Sequence, residues 1–165
     1  DGVCVTGGEP LLRPDLPDLL EEIKTLGFLV KLDTNGSHPE RLRAAVEAGA
    51  VDYVAMDVKN SPARYAQTAG VPGLDLGPIR ESVAFLLAGH VDYEFRTTVV
   101  KQFHDRAAFQ EIGPWLAGAR RYFLQSYEDR DTVLCPGLSP CSREELEDFA
   151  AAVRPFVPAV ALRGV

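Results

Sequence analysis

The 165-residue sequence lacks an excess of basic residues, a long apolar run and a set of paired cysteines. Its 17 lysines and arginines stand against 24 acidic residues, and the formal net charge of −7 argues against a nucleic-acid-binding surface. No stretch approaches the roughly 18 consecutive apolar residues of a membrane-spanning helix, and no basic segment precedes an apolar one as in a signal peptide. Three cysteines make no disulfide framework. We therefore expect a cytoplasmic protein with neither nucleic acid nor membrane as a partner.

The composition that remains is that of an ordinary globular protein, with 46% hydrophobic and 25% charged residues. A chain of this length predicts a single domain, 1–165, that buries a sizeable core. The sequence begins at Asp1 without a methionine and is almost at once inside a predicted strand. We therefore expect this domain to be truncated at its amino terminus.

The most informative stretch runs from Val3 to Pro10 and reads VCVTGGEP. Its apolar, β-branched beginning predicts a buried strand. The two glycines that follow permit positive φ and let backbone come close to a ligand, because no Cβ stands in the way. The stretch predicts a ligand-binding loop at the carboxyl end of a parallel strand. The alternative is a tight strand-to-helix turn that needs glycine for its shape alone.

Strands and helices alternate along the rest of the chain. Further strands are predicted at 28–34, 51–58, 91–100, 121–127 and 160–163, with helices between them. Capping boxes are predicted at Ser37 with Glu40 and at Ser142 with Glu145. Repeated strand–helix units predict an α/β fold with parallel strands and right-handed crossovers, either a barrel-like sheet or an open doubly wound one.

Polar residues recur where the predicted strands end, and in a parallel sheet these ends share one rim. Acids, an amide and basic groups on one rim suit a zwitterionic ligand. Two simpler interpretations stay open, a turn at 33–36 and a surface ion pair between residues 57 and 59. The polar candidates are Gly7, Gly8 and Glu9, then Asp33 and Asn35, then Asp57 and Lys59, and finally Arg96 and Gln125.

These motifs, in this order and spacing, resemble those of the radical S-adenosylmethionine (radical SAM) enzymes. More narrowly, they resemble those of the activating proteins of anaerobic ribonucleoside-triphosphate reductase, relatives of the pyruvate formate-lyase activating enzyme. The resemblance covers nearly the whole chain. The segments that carry it are VTGGEP at 5–10, KLDTNG at 31–36, DYVAMDVK at 52–59, YEFRTTV at 93–99 and the strand of Gln125.

The resemblance implies a partial parallel (β/α) barrel, here without its first β/α unit, that binds S-adenosylmethionine and a [4Fe–4S] cluster. The loop of Gly7, Gly8, Glu9 and Pro10 would hold the methionine amino group. The related enzymes can also hold a monovalent cation beside the cofactor's carboxylate. The other rim residues implied are Asp33, Asn35, Asp57, Lys59, Arg96 and Gln125, with Asp33 and Asp57 at the cation positions.

The activity implied is the generation of a glycyl radical on a partner enzyme. The reduced cluster would cleave the cofactor to a 5′-deoxyadenosyl radical, which would take a hydrogen atom from a glycine of the reductase. The partners implied are this glycyl-radical enzyme and an electron donor such as flavodoxin or ferredoxin. The protein's task would be to orient the cofactor and exclude competing reactions.

The chain departs from the family pattern in lacking the C-x₃-C-x₂-C loop that ligates the cluster. We expect these ligands upstream of residue 1 and therefore expect the chain alone to be inactive. Cys4 is predicted to be a small core residue, whereas Cys135 and Cys141 are predicted to be free thiols of a loop.

Three alternative functions compete with this interpretation. The first is a radical SAM enzyme that acts on a small molecule. The second is a non-catalytic half-barrel that binds S-adenosylmethionine and works beside a partner chain that supplies the cluster. The third is an unrelated barrel enzyme for a phosphate ester, which lacks support because no glycine-rich phosphate loop follows the later strands.

Overall fold

The computed structural model describes residues 1–129 and 136–165, which form two compact units. The first unit comprises Asp1–Asp57 and Asp75–Glu94, and the second comprises Val58–Leu74 and Phe95–Val165. The single domain predicted for 1–165 stays a prediction. No helix of the described residues is long and apolar enough to cross a membrane.

Six parallel strands alternate with helices, which confirms the predicted α/β fold. The strands are β1 (Gly2–Val5), β2 (Leu29–Thr34), β3 (Tyr53–Asp57), β4 (Asp92–Val99), β5 (Tyr122–Ser126) and β6 (Val160–Arg163). The helices are α1 (Leu16–Thr25), α2 (Pro39–Glu47), α3 (Tyr65–Ala69), α4 (Gly77–Leu87), α5 (Arg106–Trp115) and α6 (Arg143–Val153). The strand order, β1 to β6, follows the chain. This is the order of a (β/α) barrel and not of a doubly wound sheet, whose order reverses at a switch point.

The core of the first unit is built on β2, in which Val30, Leu32 and Thr34 are buried and the residues between them are not. Helix α1 contributes Leu20 and Ile23 to this core. Complete burial of such an aliphatic side chain stabilises the fold by about 1.5–3 kcal/mol. The other face of β2 carries Leu29, Lys31 and Asp33, of which the last two are polar.

The core of the second unit lies between α5 and α6. Phe109 and Phe149 stack there with ring centroids 4.9 Å apart and planes 16° from parallel. Each helix begins at a side-chain cap, because Asp105 accepts from the Ala108 amide at 2.9 Å and Ser142 forms the predicted capping box with Glu145. Such caps satisfy amide groups that have no partner within the helix.

Two local predictions were wrong. Strand β1 is half-exposed rather than buried, and Cys4 is an exposed residue, because β1 lies at the end of the sheet order and, among the described strands, pairs only with β2. Helix α2 begins from His38 without a side-chain cap, so the capping box of Ser37 and Glu40 does not form. Cys141 is a free thiol as predicted but is buried, and Cys135 lies outside the described residues.

Candidate functional site

The Gly-Gly loop follows β1 directly and presents bare backbone. Gly7 has φ +131°, a conformation that residues with a Cβ rarely adopt, whereas Gly8 has no such positive φ. A Cβ added at either glycine would meet no atom within 4 Å. Crowding by other protein atoms therefore does not explain why either position is glycine. The open space beside them would let a ligand approach the backbone.

Glu9 fastens this loop to the end of β2. Its Oε1 atom accepts from the Leu11 amide and from the Thr34 hydroxyl, each at 3.0 Å, and its Oε2 atom accepts from the Asn35 amide at 2.7 Å. The carboxylate is half-buried and serves the protein itself, so the structure gives it a positioning role. Direct contact of Glu9 with a cofactor stays a prediction.

The turn after β2 is closed by its own side chains. The Thr34 hydroxyl accepts from the Gly36 amide at 3.1 Å, and the Asn35 side-chain oxygen accepts from the Ser37 amide at 2.9 Å. Gly36 has φ +75°, and a Cβ there would come within 2.1 Å of Met56 Cε. The turn interpretation of 33–36 therefore accounts for Asn35 and Gly36, and a contact of Asn35 with a cofactor stays a prediction.

Asp33 and Asp57 lie on the same face of the β2–β3 strand pair. Asp33 is the register partner of Ala55, and Asp57 lies two residues further along β3. Side chains two residues apart on a strand share a face. Both acids are half-buried. Asp33 is not an isolated carboxylate, because the Lys31 ammonium donates to its Oδ1 atom at 2.9 Å.

Arg96 and Gln125 share a face of the second unit. Arg96 is the register partner of Phe123, and Gln125 lies two residues beyond Phe123 on β5. Sequence reasoning missed Arg163, which pairs in register with Gln125 and places its guanidinium carbon 3.8 Å from the centre of the Phe123 ring. The only sequence signal for it was a basic residue near the end of the last predicted strand.

Lys59 is fixed through its backbone by His104, which sequence reasoning also missed. His104 Nε2 donates to the Lys59 carbonyl at 2.9 Å when the ring is in the tautomer that carries its proton on Nε2. Nδ1 then accepts from the Val100 amide at 3.1 Å. Burial lowers the pKa of this histidine, which favours the neutral ring that these two bonds require.

Asp33, Asp57 and Gln125 lie at or next to the carboxyl ends of their strands, whereas Arg96 lies three residues before the end of β4. The first unit joins the Gly-Gly loop, Glu9 and Asn35 by hydrogen bonds and aligns Asp33 with Asp57. The second aligns Arg96 with Gln125 and holds Lys59. The convergence of both sets on one rim stays a prediction.

Comparison with known proteins identifies the family. Residues 1–103 match the sequence profile of the Radical SAM superfamily. The chain belongs to the radical SAM superfamily.

Two relatives illustrate the range of this family. A Methanocaldococcus jannaschii protein named as a glycyl-radical enzyme activating enzyme is 27% identical over 171 residues, which cover 100% of this chain and 71% of that protein. A 7-carboxy-7-deazaguanine synthase from Methanopyrus kandleri is 44% identical over 59 residues, but these cover 34% of this chain and 23% of that protein.

A solved domain of pyruvate-formate lyase-activating enzyme from Bacteroides vulgatus has the same fold. Its TM-score is 0.79 at 18% identity, and the match covers 99% of both chains. At this identity the likeness supports the fold alone.

Membership of the radical SAM superfamily implies S-adenosylmethionine and a [4Fe–4S] cluster. The described residues offer a place for the first but not for the second. The open Gly-Gly backbone suits the amino-acid end of the cofactor. The described ranges show no such place for the cluster, since they contain no group of three or more His, Cys, Asp or Glu side chains that could hold a metal ion. The sequence also lacks the C-x₃-C-x₂-C loop, and its cysteines stand at 4, 135 and 141.

Proposed function

We propose that this chain is the S-adenosylmethionine-binding part of a cytoplasmic activating enzyme for a glycyl-radical enzyme, and that its partner is anaerobic ribonucleoside-triphosphate reductase. The observation that carries the proposal is the Gly-Gly loop, whose backbone faces open space while Glu9 holds it against β2. Similarity over the whole of this chain, and over 71% of a protein named as a glycyl-radical enzyme activating enzyme, supports the reaction class.

The residues of the chain would bind and orient the cofactor. Backbone groups of Gly7 and Gly8 would meet its methionine amino group, and Glu9 would keep that backbone in place. When bound, the cofactor would supply radical chemistry, with an electron that a flavodoxin or ferredoxin would provide. Because the chain offers no cluster ligands, we assign it the binding step and no electron-transfer step.

Calorimetric titration with S-adenosylmethionine tests the loop assignment through Gly8. Gly8→Ala adds a Cβ that meets no protein atom and needs no positive φ, so the free energy of unfolding should not fall. Gly8→Val should weaken binding by at least about tenfold, and Gly8→Ala should weaken it less. The contrasting variant is Gly7→Ala, which should also lose about 1–3 kcal/mol of stability because of its backbone conformation. Equal affinity in wild type and both Gly8 variants would refute the assignment.

A second candidate is an enzyme that acts on a small molecule, favoured by the local 44% identity to a 7-carboxy-7-deazaguanine synthase. Binding of the chain to immobilised anaerobic ribonucleoside-triphosphate reductase, with pyruvate formate-lyase as the comparison, separates the two candidates. Selective binding to the reductase supports the proposed partner. Cofactor binding without affinity for either glycyl-radical enzyme would favour the small-molecule candidate.

A further inference from the structure

Lys31 lies on the face of β2 that carries Asp33. Along β2 the buried residues Val30 and Leu32 alternate with Lys31 and Asp33, which are half-buried. Lys31 is the register partner of Cys4 on β1, and its Nζ atom lies 3.9 Å from Cys4 Sγ. The ammonium is thus held between two neighbouring strands and is directed along β2 toward its carboxyl end.

The ammonium forms an ion pair with one of the two acids expected to hold a monovalent cation. Lys31 Nζ lies 2.9 Å from Asp33 Oδ1, and the Asp33 side chain is only 13% exposed. A metal cation on this oxygen would lie beside an existing positive charge and would have to displace it. The expected cation site therefore does not fit this chain.

We propose that the Lys31 ammonium takes the place of that monovalent cation and binds the carboxylate of the cofactor directly. An ammonium has three N–H donors. In the described part of the chain, Lys31 directs them at Asp33 and Cys4 alone, which leaves one for a ligand carboxylate. This inference rests on the proposed binding of S-adenosylmethionine. It predicts that cofactor binding by this chain needs no added monovalent cation.

Calorimetry of S-adenosylmethionine binding in different chloride salts tests the proposal. Wild type should bind equally well in potassium chloride, sodium chloride and tetramethylammonium chloride at equal ionic strength. Lys31→Met removes the charge and keeps the aliphatic stem, so in tetramethylammonium chloride it should bind about fivefold more weakly. Potassium should restore part of this loss. Lys31→Arg should retain most of the affinity in every salt.

The chain supplies a matched control at the opposite ends of the strands. Lys24 pairs with Asp52 at 2.8 Å, and its side chain is 31% exposed, close to the 34% of Lys31. Asp52 precedes β3, so this pair lies at the amino-terminal ends. Lys24→Met should therefore leave cofactor affinity and its salt independence unchanged.

The proposal would be overturned by tighter binding of wild type in potassium or sodium, or by a Lys31→Met variant that binds like wild type in every salt. Thermal unfolding without cofactor gives a separate measurement. Potassium should not raise the wild-type unfolding temperature above that in tetramethylammonium; a potassium-specific rise that Asp33→Asn abolishes would overturn the proposal. Absence of cofactor binding in wild type would instead refute the proposed function, and the thermal experiment would still decide whether a metal cation binds.

Discussion

Replacement of Glu9 by glutamine tests whether this residue fastens the Gly-Gly loop. In the best orientation, the glutamine oxygen still accepts from the Leu11 amide and the Thr34 hydroxyl, and the new NH₂ group faces the Asn35 amide. The contact with the Asn35 amide is the shortest of the three, at 2.7 Å. In the variant it places the glutamine NH₂ group against the Asn35 N–H, so two donors face each other and no hydrogen bond forms. The change preserves the size of the side chain, so the loss belongs to charge and hydrogen bonding.

The expected cost follows from these three bonds. Loss of a hydrogen bond to a charged group costs about 1.5–3 kcal/mol, and the two remaining bonds weaken because charge-assisted bonds are about twice as strong as neutral ones. Glu9 is half-buried and the loop can relax into solvent, which offsets part of the loss. We expect Glu9→Gln to lower the free energy of unfolding of the first unit by about 2 kcal/mol.

Urea unfolding monitored by circular dichroism measures this difference, and amide hydrogen exchange locates it. The Leu11 and Asn35 amides should lose protection in Glu9→Gln, because both donate to the carboxylate. Glu22→Gln, an exposed change on α1 of the same unit, is the control and should have little effect. If Glu9→Gln unfolds within about 0.5 kcal/mol of wild type and both amides stay protected, the carboxylate does not fasten the loop.

Three further predictions concern the cluster, a buried histidine and the sheet edge. Anaerobic reconstitution with iron and sulfide should give no [4Fe–4S] cluster on this chain, and about four irons per chain with a cofactor-sensitive spectrum would contradict this. Because burial lowers the pKa of His104 from 6.5, protonation favours the unfolded chain. Stability should fall as pH drops below that value, by up to about 1.4 kcal/mol per pH unit, and urea titrations at several pH values should show that His104→Gln removes this part of the slope. Of the strands that the structure describes, β2 is the one that pairs with β1, and β1 carries no charge. Light scattering should therefore show concentration-dependent association that Val5→Lys reduces; a monomer at every concentration would refute this.

The capping-box pattern predicted the start of a helix correctly at one of its two positions. The helix that begins after Ser142 has its capping box because the cap residue is extended and Glu145 lies three residues later. The same pattern failed at Ser37, because Pro39 occupies the first helical position and His38 becomes the cap. Proline is favoured at that position, since its fixed φ suits a helix and its missing amide needs no partner.

From the sequence it was possible to predict that most of the candidate residues lie near the ends of strands. It was not possible to predict which groups their side chains contact. Glu9 bonds to Thr34 across 25 positions of sequence, and such a contact depends on the register of β1 with β2. The burial of β1 was overestimated for a similar reason. An apolar run shows that a strand forms, whereas the number of its neighbours decides how much of it is exposed.

The end of β2 serves the site from both of its faces. Thr34 shares a face with the core residues Val30 and Leu32 and donates to Glu9, which holds the Gly-Gly loop. Asp33 lies on the opposite face and receives the Lys31 ammonium. A shift of one residue in the pairing of β2 would exchange these faces, exposing Thr34 and burying a charged pair. The hydrophobic alternation that builds the core therefore also sets the position of both polar contacts, and the site could not form in another register.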